Sequence, residues 1–304
     1  MIKQKVALVL GSGGARGIAH IGVISELEKQ GFSITSVSGS SMGALIGGFY
    51  AMGRIHDVEN LLLKLDKTSV YRLFDLTLSS KGLIKGERVF KMMKDYIPDM
   101  LIEDMNIPFA AVATNLISRE ETVFRKGSFY KAARASIAIP AIITPVVYKN
   151  TILVDGGVLN PVPLNRVART EGDILVAVNL YDSHANNSII NSKNENHNEK
   201  KKKKSESNLM NMDDGMIRKI KEFIPNASIQ NPGYYTLIQL TSSIMLEKIS
   251  GLSLIINKPD ILVNIPITTA KAIDFHKASE LIDAGIEAAA LSINEFYLNK
   301  SNDN

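Results

Sequence analysis

Two short runs put a hydroxyl and a set of backbone amides where acyl-transfer chemistry is done. Gly39-Ser40-Ser41-Met42-Gly43 matches the G-x-S-x-G pattern. Small residues two before and two after Ser41 let the chain turn sharply from a strand into a helix. The serine hydroxyl is then exposed at the strand's C-terminal end, beside the positive end of the helix dipole. Capping of that helix by Ser40 or Ser41 is the plainer use of the same residues. A second run, Gly11-Ser12-Gly13-Gly14-Ala15-Arg16-Gly17, also lies directly between a strand and a helix. Its glycines either present bare N–H groups to an anion or oxyanion, or simply make a tight connection. A dinucleotide fingerprint needs glycine where Arg16 stands, and an acidic residue at the end of the next strand, which instead reads Gly39-Ser40-Ser41. Parallel strands of one sheet share their C-terminal edge, so the two runs are expected to face one another.

A third run, Asp155-Gly156-Gly157, follows the apolar segment Thr151–Val154. It holds a carboxylate at a strand end with nothing bulky around it, and it is equally a favoured sequence for an Asx turn. A serine nucleophile needs a base, and the five histidines are poor candidates. His184 and His197 fall at or within a low-complexity stretch, and His56 starts a surface helix. His20 lies one turn into the first helix, where packing or a hydrogen bond to a nearby turn suits it. His276, at the start of the last long helix, is the one candidate for a Ser–Asp–His triad. Its neighbours Asp274, Lys277 and Ser279 read instead as ordinary first-turn residues. The chain has no cysteine, which removes disulfides, thiolate metal sites and a cysteine nucleophile.

The elements that must position these groups alternate. Val6–Leu10 is a short apolar run ahead of a glycine turn and reads as a buried parallel strand. Arg16–Gln30 carries apolar residues at helical spacing and closes on Gly31. Ile34–Ser38, Phe109–Thr114, Thr151–Val154, Ile174–Leu180 and Ile261–Ile265 read as further strands. Met42–Met52, Asp57–Leu65, Glu87–Tyr96 and Phe129–Ser136 read as helices, as do Ile217–Phe223, Thr236–Ile249 and Asp274–Tyr297. Buried strands alternating with helices predict a three-layer α/β/α fold with a largely parallel central sheet. Met42, Met52, Met92 and Met93 are assigned to core and helix packing in preference to a lipid groove.

Taken in order, Gly11–Gly17, Gly39–Gly43 and Asp155–Gly157 resemble the motif set of the patatin-like phospholipase family in its small bacterial form. Arg16-Gly17-Ile18-Ala19-His20-Ile21-Gly22-Val23 resembles that family's first helix. Ala135-Ser136-Ile137-Ala138-Ile139-Pro140 resembles the block ahead of its aspartate strand, and Asn160-Pro161-Val162-Pro163 its proline pair. The resemblance is strong over Lys5–Val178 and looser beyond. It implies a patatin-like catalytic core and a serine esterase of lipid metabolism. Such an enzyme cleaves phospholipid or lysophospholipid acyl esters through an acyl-serine intermediate. By the same resemblance Ser41 is the nucleophile and Asp155 the base of a Ser–Asp dyad without histidine. The loop of Gly11, Gly13, Gly14, Ala15 and Arg16 would form the oxyanion hole, centred on the N–H groups around Gly13 and Gly14 and supported by Arg16. Gly39, Ser40, Met42 and Gly43 would build the nucleophile elbow, and Gly156 and Gly157 the aspartate turn. No metal and no cofactor is implied.

An unperturbed carboxylate, with a pKa of about 3.9, is a weak base for a serine hydroxyl. Burial must raise it, or the N–H cradle must carry more of the transition-state charge. Ala141 departs from the pattern, standing where many family members have glycine, and Ser12 interrupts the leading glycines. A catalytically idle regulatory or lipid-binding module is the rival reading. The retention of both Ser41 and Asp155 counts against it.

The 304 residues, 45% hydrophobic and 22% charged, have a globular composition and enough chain for a substantial core. Val6–Leu10 is too short for a signal-peptide core, and Met42–Met52 falls far short of the roughly 20 residues that span a bilayer, so a cytoplasmic protein is expected. Ser183–Asn211 holds 8 Asn, 6 Lys and 5 Ser and is expected to be a disordered insertion. Residues 212–300 would be a mainly helical part of the same domain. The insertion's six lysines against Glu195, Glu199 and Glu206 account for three of the four net positive charges. The basicity therefore belongs to one loop, with no groove for nucleic acid. A solvated loop is the plainer reading of Lys200–Lys204, and weak peripheral contact with anionic lipid is the membrane interaction it would allow.

Overall fold

A computed structural model describes residues 3–73, 76–79, 82–183 and 234–302. The chain divides into two compact units, one of Met1–Ser183 with Leu246–Asn304 and the other of His184–Met245. In the second unit the described residues, 234–245, are the first turns of a helix. The expected insertion beyond Ser183 and the expected helix Ile217–Phe223 lie outside the described residues.

In the first unit the predicted strand at Val6–Leu10 is β1 (Lys5–Leu10), at the centre of the main sheet. Five strands run parallel in the order β10 (Ile261–Pro266), β9 (Ile174–Asp182), β1, β2 (Ser33–Ser40) and β5 (Phe109–Asn115). Beyond them β6 (Glu120–Phe124) and β8 (Thr151–Asp155) are antiparallel to β5, and β7 (Val146–Tyr148) is antiparallel to β8. A separate two-stranded sheet joins β3 (Leu76–Ser79) to β4 (Gly82–Ile84). The predicted α/β architecture with a mostly parallel sheet is the one that forms.

Alternation along β1 builds the layers. Val6, Leu8 and Leu10 point to one face, where they pack with Ile21 and Ile24 of α1 (Ala19–Lys29), Ile46 and Phe49 of α2 (Met42–Ala51), and Leu281 and Ile293 of α8 (Ala278–Asn302). Ala7 and Val9 point to the other face. There the cover is the segment holding Val162 and Leu164, together with Leu254 of α7 (Tyr234–Ile256). Among the described residues, this second layer is built mainly of that segment and α7. Where α8 crosses α1, the two come nearly backbone to backbone. A Cβ on Gly22 would strike the Ile282 carbonyl, and one on Gly285 the Ala19 carbonyl.

Several boundaries differ from expectation. The first helix opens with a 3-10 turn, Gly14–Ile18, before α1. β2 continues to Ser40, so Ser41 follows the strand directly. α7 runs past the predicted Ile249 to Ile256. Gly251 reads as a stop signal but costs only about 1 kcal/mol inside a helix, and Pro259 comes later. β6, which opens on two glutamates, and β7, which is only three residues long, are not expected from the sequence.

One feature of the sheet decides the site. β6 occupies one edge of β5 over Ala111–Asn115. On the other edge β2 pairs as far as Ser40 opposite Val112, and β8 arrives from the opposite direction with Asp155 opposite Ala113. Two strands therefore meet end to end on consecutive residues of β5. The residue after β2 is Ser41, and the last residue of β8 is Asp155.

Candidate active site

Ser41 stands between β2 and α2 with φ 56° and ψ −123°, a backbone state that a non-glycine residue adopts at a cost of about 1–3 kcal/mol. The turn is tight enough that a Cβ on Gly39 would run into the Gly43 backbone, and one on Gly43 into the Leu10 carbonyl. Only glycine fits at either place. The strain is held by hydrogen bonds on both sides of the residue. Its carbonyl accepts from Ala44 N–H (3.0 Å) and Leu45 N–H (3.1 Å). Its N–H donates to Ser136 Oγ at 2.9 Å, and Ser136 in turn donates to the Val112 carbonyl at 2.6 Å. α2 begins at Met42, so its first-turn N–H groups and positive end lie at the serine.

The Ser41 hydroxyl donates to Asp155 Oδ2 at 2.5 Å. Asp155 Oδ1 accepts the Gly157 N–H at 2.7 Å, and the aspartate's own N–H donates to the Ala138 carbonyl at 2.9 Å. The Asx turn and the serine contact are therefore both present, one on each carboxylate oxygen. Burial pushes the Asp155 carboxyl up to about 7, against the hydrogen bonds from Ser41 and Gly157, which favour the anion. Near neutral pH the group exchanges a proton readily, and its partner is a serine hydroxyl. That combination suits proton transfer to and from Ser41.

The glycine loop packs against this pair. A Cβ on Gly17 would strike the Met42 side chain, and one on Gly157 would come within 2.9 Å of Ser12 Oγ. Gly11 N–H is committed to the Val178 carbonyl (3.0 Å) and Ala15 N–H to the Ala272 carbonyl (2.8 Å). Ser12 N–H donates to the Pro161 carbonyl at 2.8 Å. Among the described residues, the N–H groups of Gly13 and Gly14 have no acceptor. Of the loop residues singled out in the sequence, these two have amides free to receive an oxyanion. Arg16 is buried and spends its guanidinium on the carbonyls of Leu180 (3.1 Å), Ile267 (3.3 Å) and Ala270 (3.2 Å). It lies 5.4 Å over the Tyr181 ring, and burial lowers its pKa. Its contacts fix the loop to β9 and to the segment after β10.

His20 is buried in α1 with Nε2 2.8 Å from the Gly11 carbonyl, so it donates there. Burial lowers its pKa to about 4 and keeps it neutral. It is a brace for the glycine loop. His276 sits in the single turn Phe275–Lys277, while both Asp155 oxygens are taken by Ser41 and Gly157. Met42, Met52 and Met93 are buried in the core and Met92 packs against it. Ser136 and Ala138, at and just past the end of α6 (Phe129–Ser136), stand out in the sequence only as parts of a motif block. Their signal was a serine on the buried side of an alanine-rich helix.

The fold and site define a class: an α/β protein with a mostly parallel sheet, and a serine elbow and a glycine-rich loop at the sheet's C-terminal edge. The model of the family described as patatin-like phospholipase matches residues 8–168, and the chain belongs to that family. An uncharacterized NTE family protein of Mycobacterium tuberculosis is 41% identical over 181 residues, covering 60% of this chain and 50% of that protein. Lysophospholipase NTE1 of Candida albicans is 31% identical over 181 residues, 58% of this chain and 13% of that protein. The chain spans half or less of the length of these relatives. Among solved structures, VipD from Legionella pneumophila aligns with 97% of this chain and 67% of its own at 12% identity and a TM-score of 0.49.

Proposed function

We propose that this protein is a serine acyl hydrolase that cleaves acyl esters of phospholipids or lysophospholipids through a Ser41–Asp155 dyad. The observation that carries the reading is the Ser41 hydroxyl donating at 2.5 Å to a buried carboxylate whose pKa lies near 7. Membership of the patatin-like phospholipase family and similarity to a protein named lysophospholipase support the substrate class. In the reaction Asp155 takes the hydroxyl proton as Ser41 Oγ attacks the ester carbonyl. The N–H groups of Gly13 and Gly14 hold the negative charge that develops on the carbonyl oxygen. Asp155 then gives its proton to the departing alcohol, leaving an acyl-serine. Water attacks that ester with Asp155 again as base, which restores the hydroxyl and releases the fatty acid.

A fluorophosphonate probe tests the nucleophile directly. The wild-type protein is expected to be labelled on Ser41 and to hydrolyse p-nitrophenyl acyl esters. Ser41→Ala abolishes both, and Asp155→Asn lowers kcat by roughly 100- to 10,000-fold, the usual worth of a general base. A folded wild-type protein that is neither labelled nor hydrolytic sinks the proposal in favour of the idle lipid-binding module.

A further inference from the structure

We propose that two hairpin tips beside the site form a docking surface for an anionic phospholipid interface. The tips are the turn at residues 116–119, between β5 and β6, and the turn at 149–150, between β7 and β8. Leu116, Ile117, Val147 and Tyr148 there are 48–64% exposed, although each is large and apolar. They are held outward by a rigid frame. Arg119 N–H donates to the Asn115 carbonyl at 2.8 Å, and Ile117 N–H to Asn115 Oδ1 at 3.0 Å. Thr151 Oγ1 donates to the Tyr148 carbonyl at 2.7 Å. Leu116 N–H donates to the Ile152 carbonyl at 2.9 Å, which ties one hairpin to the other.

The tips lie where a lipid substrate must arrive. Asp155 is opposite Ala113, and Leu153 opposite Asn115. Thr151 is four residues before Asp155, so at 3.3 Å per residue the tips stand about 13 Å beyond the carboxylate. That is the same edge at which Ser41 and the glycine loop sit. An interface touching the tips therefore lies above the site at a depth that an acyl chain can cross.

The chemistry of the patch selects a lipid surface over a protein. Four partly exposed side chains offer a few hundred Å², short of the ~800 Å² per partner of a standard protein interface. Both turns also carry a cation. Lys149 lies 5.4 Å over the Tyr148 ring, and Arg119 ends the other turn. Lys149 and Arg119 take φ values of 51° and 61°, so each turn tip accepts backbone strain at a basic residue. Of the two carboxylates that open β6, Glu121 is paired with Arg166 at 2.8 Å. Tyrosine at the headgroup level, aliphatic side chains below it and ammonium or guanidinium groups beside the phosphates match the layering of a phospholipid surface. The site's substrate class is taken from the acyl-hydrolase reading, but the surface itself requires no catalysis.

The test is flotation of the full chain with phosphatidylcholine–phosphatidylglycerol vesicles and with phosphatidylcholine alone. Hydrolysis of soluble p-nitrophenyl butyrate and the melting temperature are measured alongside. Ile117→Glu with Val147→Glu should lower the vesicle-bound fraction roughly tenfold or more, while butyrate hydrolysis and melting temperature stay unchanged. Lys149→Glu should weaken binding to the phosphatidylglycerol vesicles alone. A wild type that does not float, or a double variant that floats as well as wild type, overturns the docking surface whatever the esterase result. So does self-association that the double variant abolishes, since the patch then belongs to a second copy. Loss of flotation in the variant, with no ester hydrolysis by either protein, supports the surface and overturns the acyl-hydrolase reading instead.

Discussion

The dyad proposed here would place two opposed requirements on the Asp155 carboxyl group: burial to make it basic, and ionisation for it to accept a proton. With its pKa at about 7 against an ordinary 3.8, kcat/KM should rise with pH through about 7 and level off above it. The same shift sets a stability dependence. Between about pH 4 and pH 7 the folded protein keeps a proton that the unfolded chain has released, so stability falls as pH rises across that window. The full cost above pH 7 is of the order of a few kcal/mol. Asp155→Asn removes it, so melting curves should show the variant gaining on wild type between pH 5 and pH 8. His20 works the other way. Buried and neutral to about pH 4, it makes stability rise with pH between about 4 and 6.5 in both proteins, and so cancels from the comparison. A variant that is inactive yet more stable at pH 8 would mark the carboxylate as strained for function; equal curves at both pH values would reject the buried shift. Ala141 is a smaller instance of local strain. It takes φ 66°, a conformation that glycine adopts freely and alanine does not.

The strand elements bring the serine and the aspartate together, and the helices keep the strands in register. β2 and β8 share an edge of β5 end to end, so the pair is set by consecutive residues, Val112 and Ala113. Ser136 reaches from α6 to both Ser41 N–H and the Val112 carbonyl, and so joins the elbow to that edge. Behind them α1 and α8 interlock at Gly22 and Gly285. Helix glycines at two places should respond in opposite directions to the same change. Gly285→Ala drives a methyl into the Ala19 carbonyl and should destabilise by about 1–3 kcal/mol, as overpacking does. Gly251→Ala in α7 meets nothing within 4 Å and should stabilise by about 0.5–1 kcal/mol. Urea denaturation of the two variants reads both signs, and a neutral Gly285→Ala would mean the helices can part without cost.

At the scale of the molecule, the site is drawn from residues 11–17, 39–43, 136–138 and 155–157, with carbonyl partners at 161, 178–180 and 267–272. All of these belong to the unit of Met1–Ser183 and Leu246–Asn304. From its composition alone, the polar run Ser183–Asn211 is expected to contribute little buried surface. Its deletion should leave the melting temperature and ester hydrolysis unchanged, and a loss of cooperative unfolding would show that it is structural. The strand–turn–helix runs, the glycines, the nucleophile candidate and the weakness of the histidines were all legible in the sequence. They depend on local spacing, which a chain carries wherever it folds. The meeting of β2 with β8, the anchoring of Arg16 on three distant carbonyls and the role of Ser136 were not legible. These are pairings between residues far apart in the chain, and neither helical nor strand periodicity encodes which edge a later strand will take. The sequence alone therefore determined which groups were fit for acyl chemistry. Only the tertiary structure decided which of them meet, and burial at that meeting point is what raises an ordinary aspartate carboxyl to about 7.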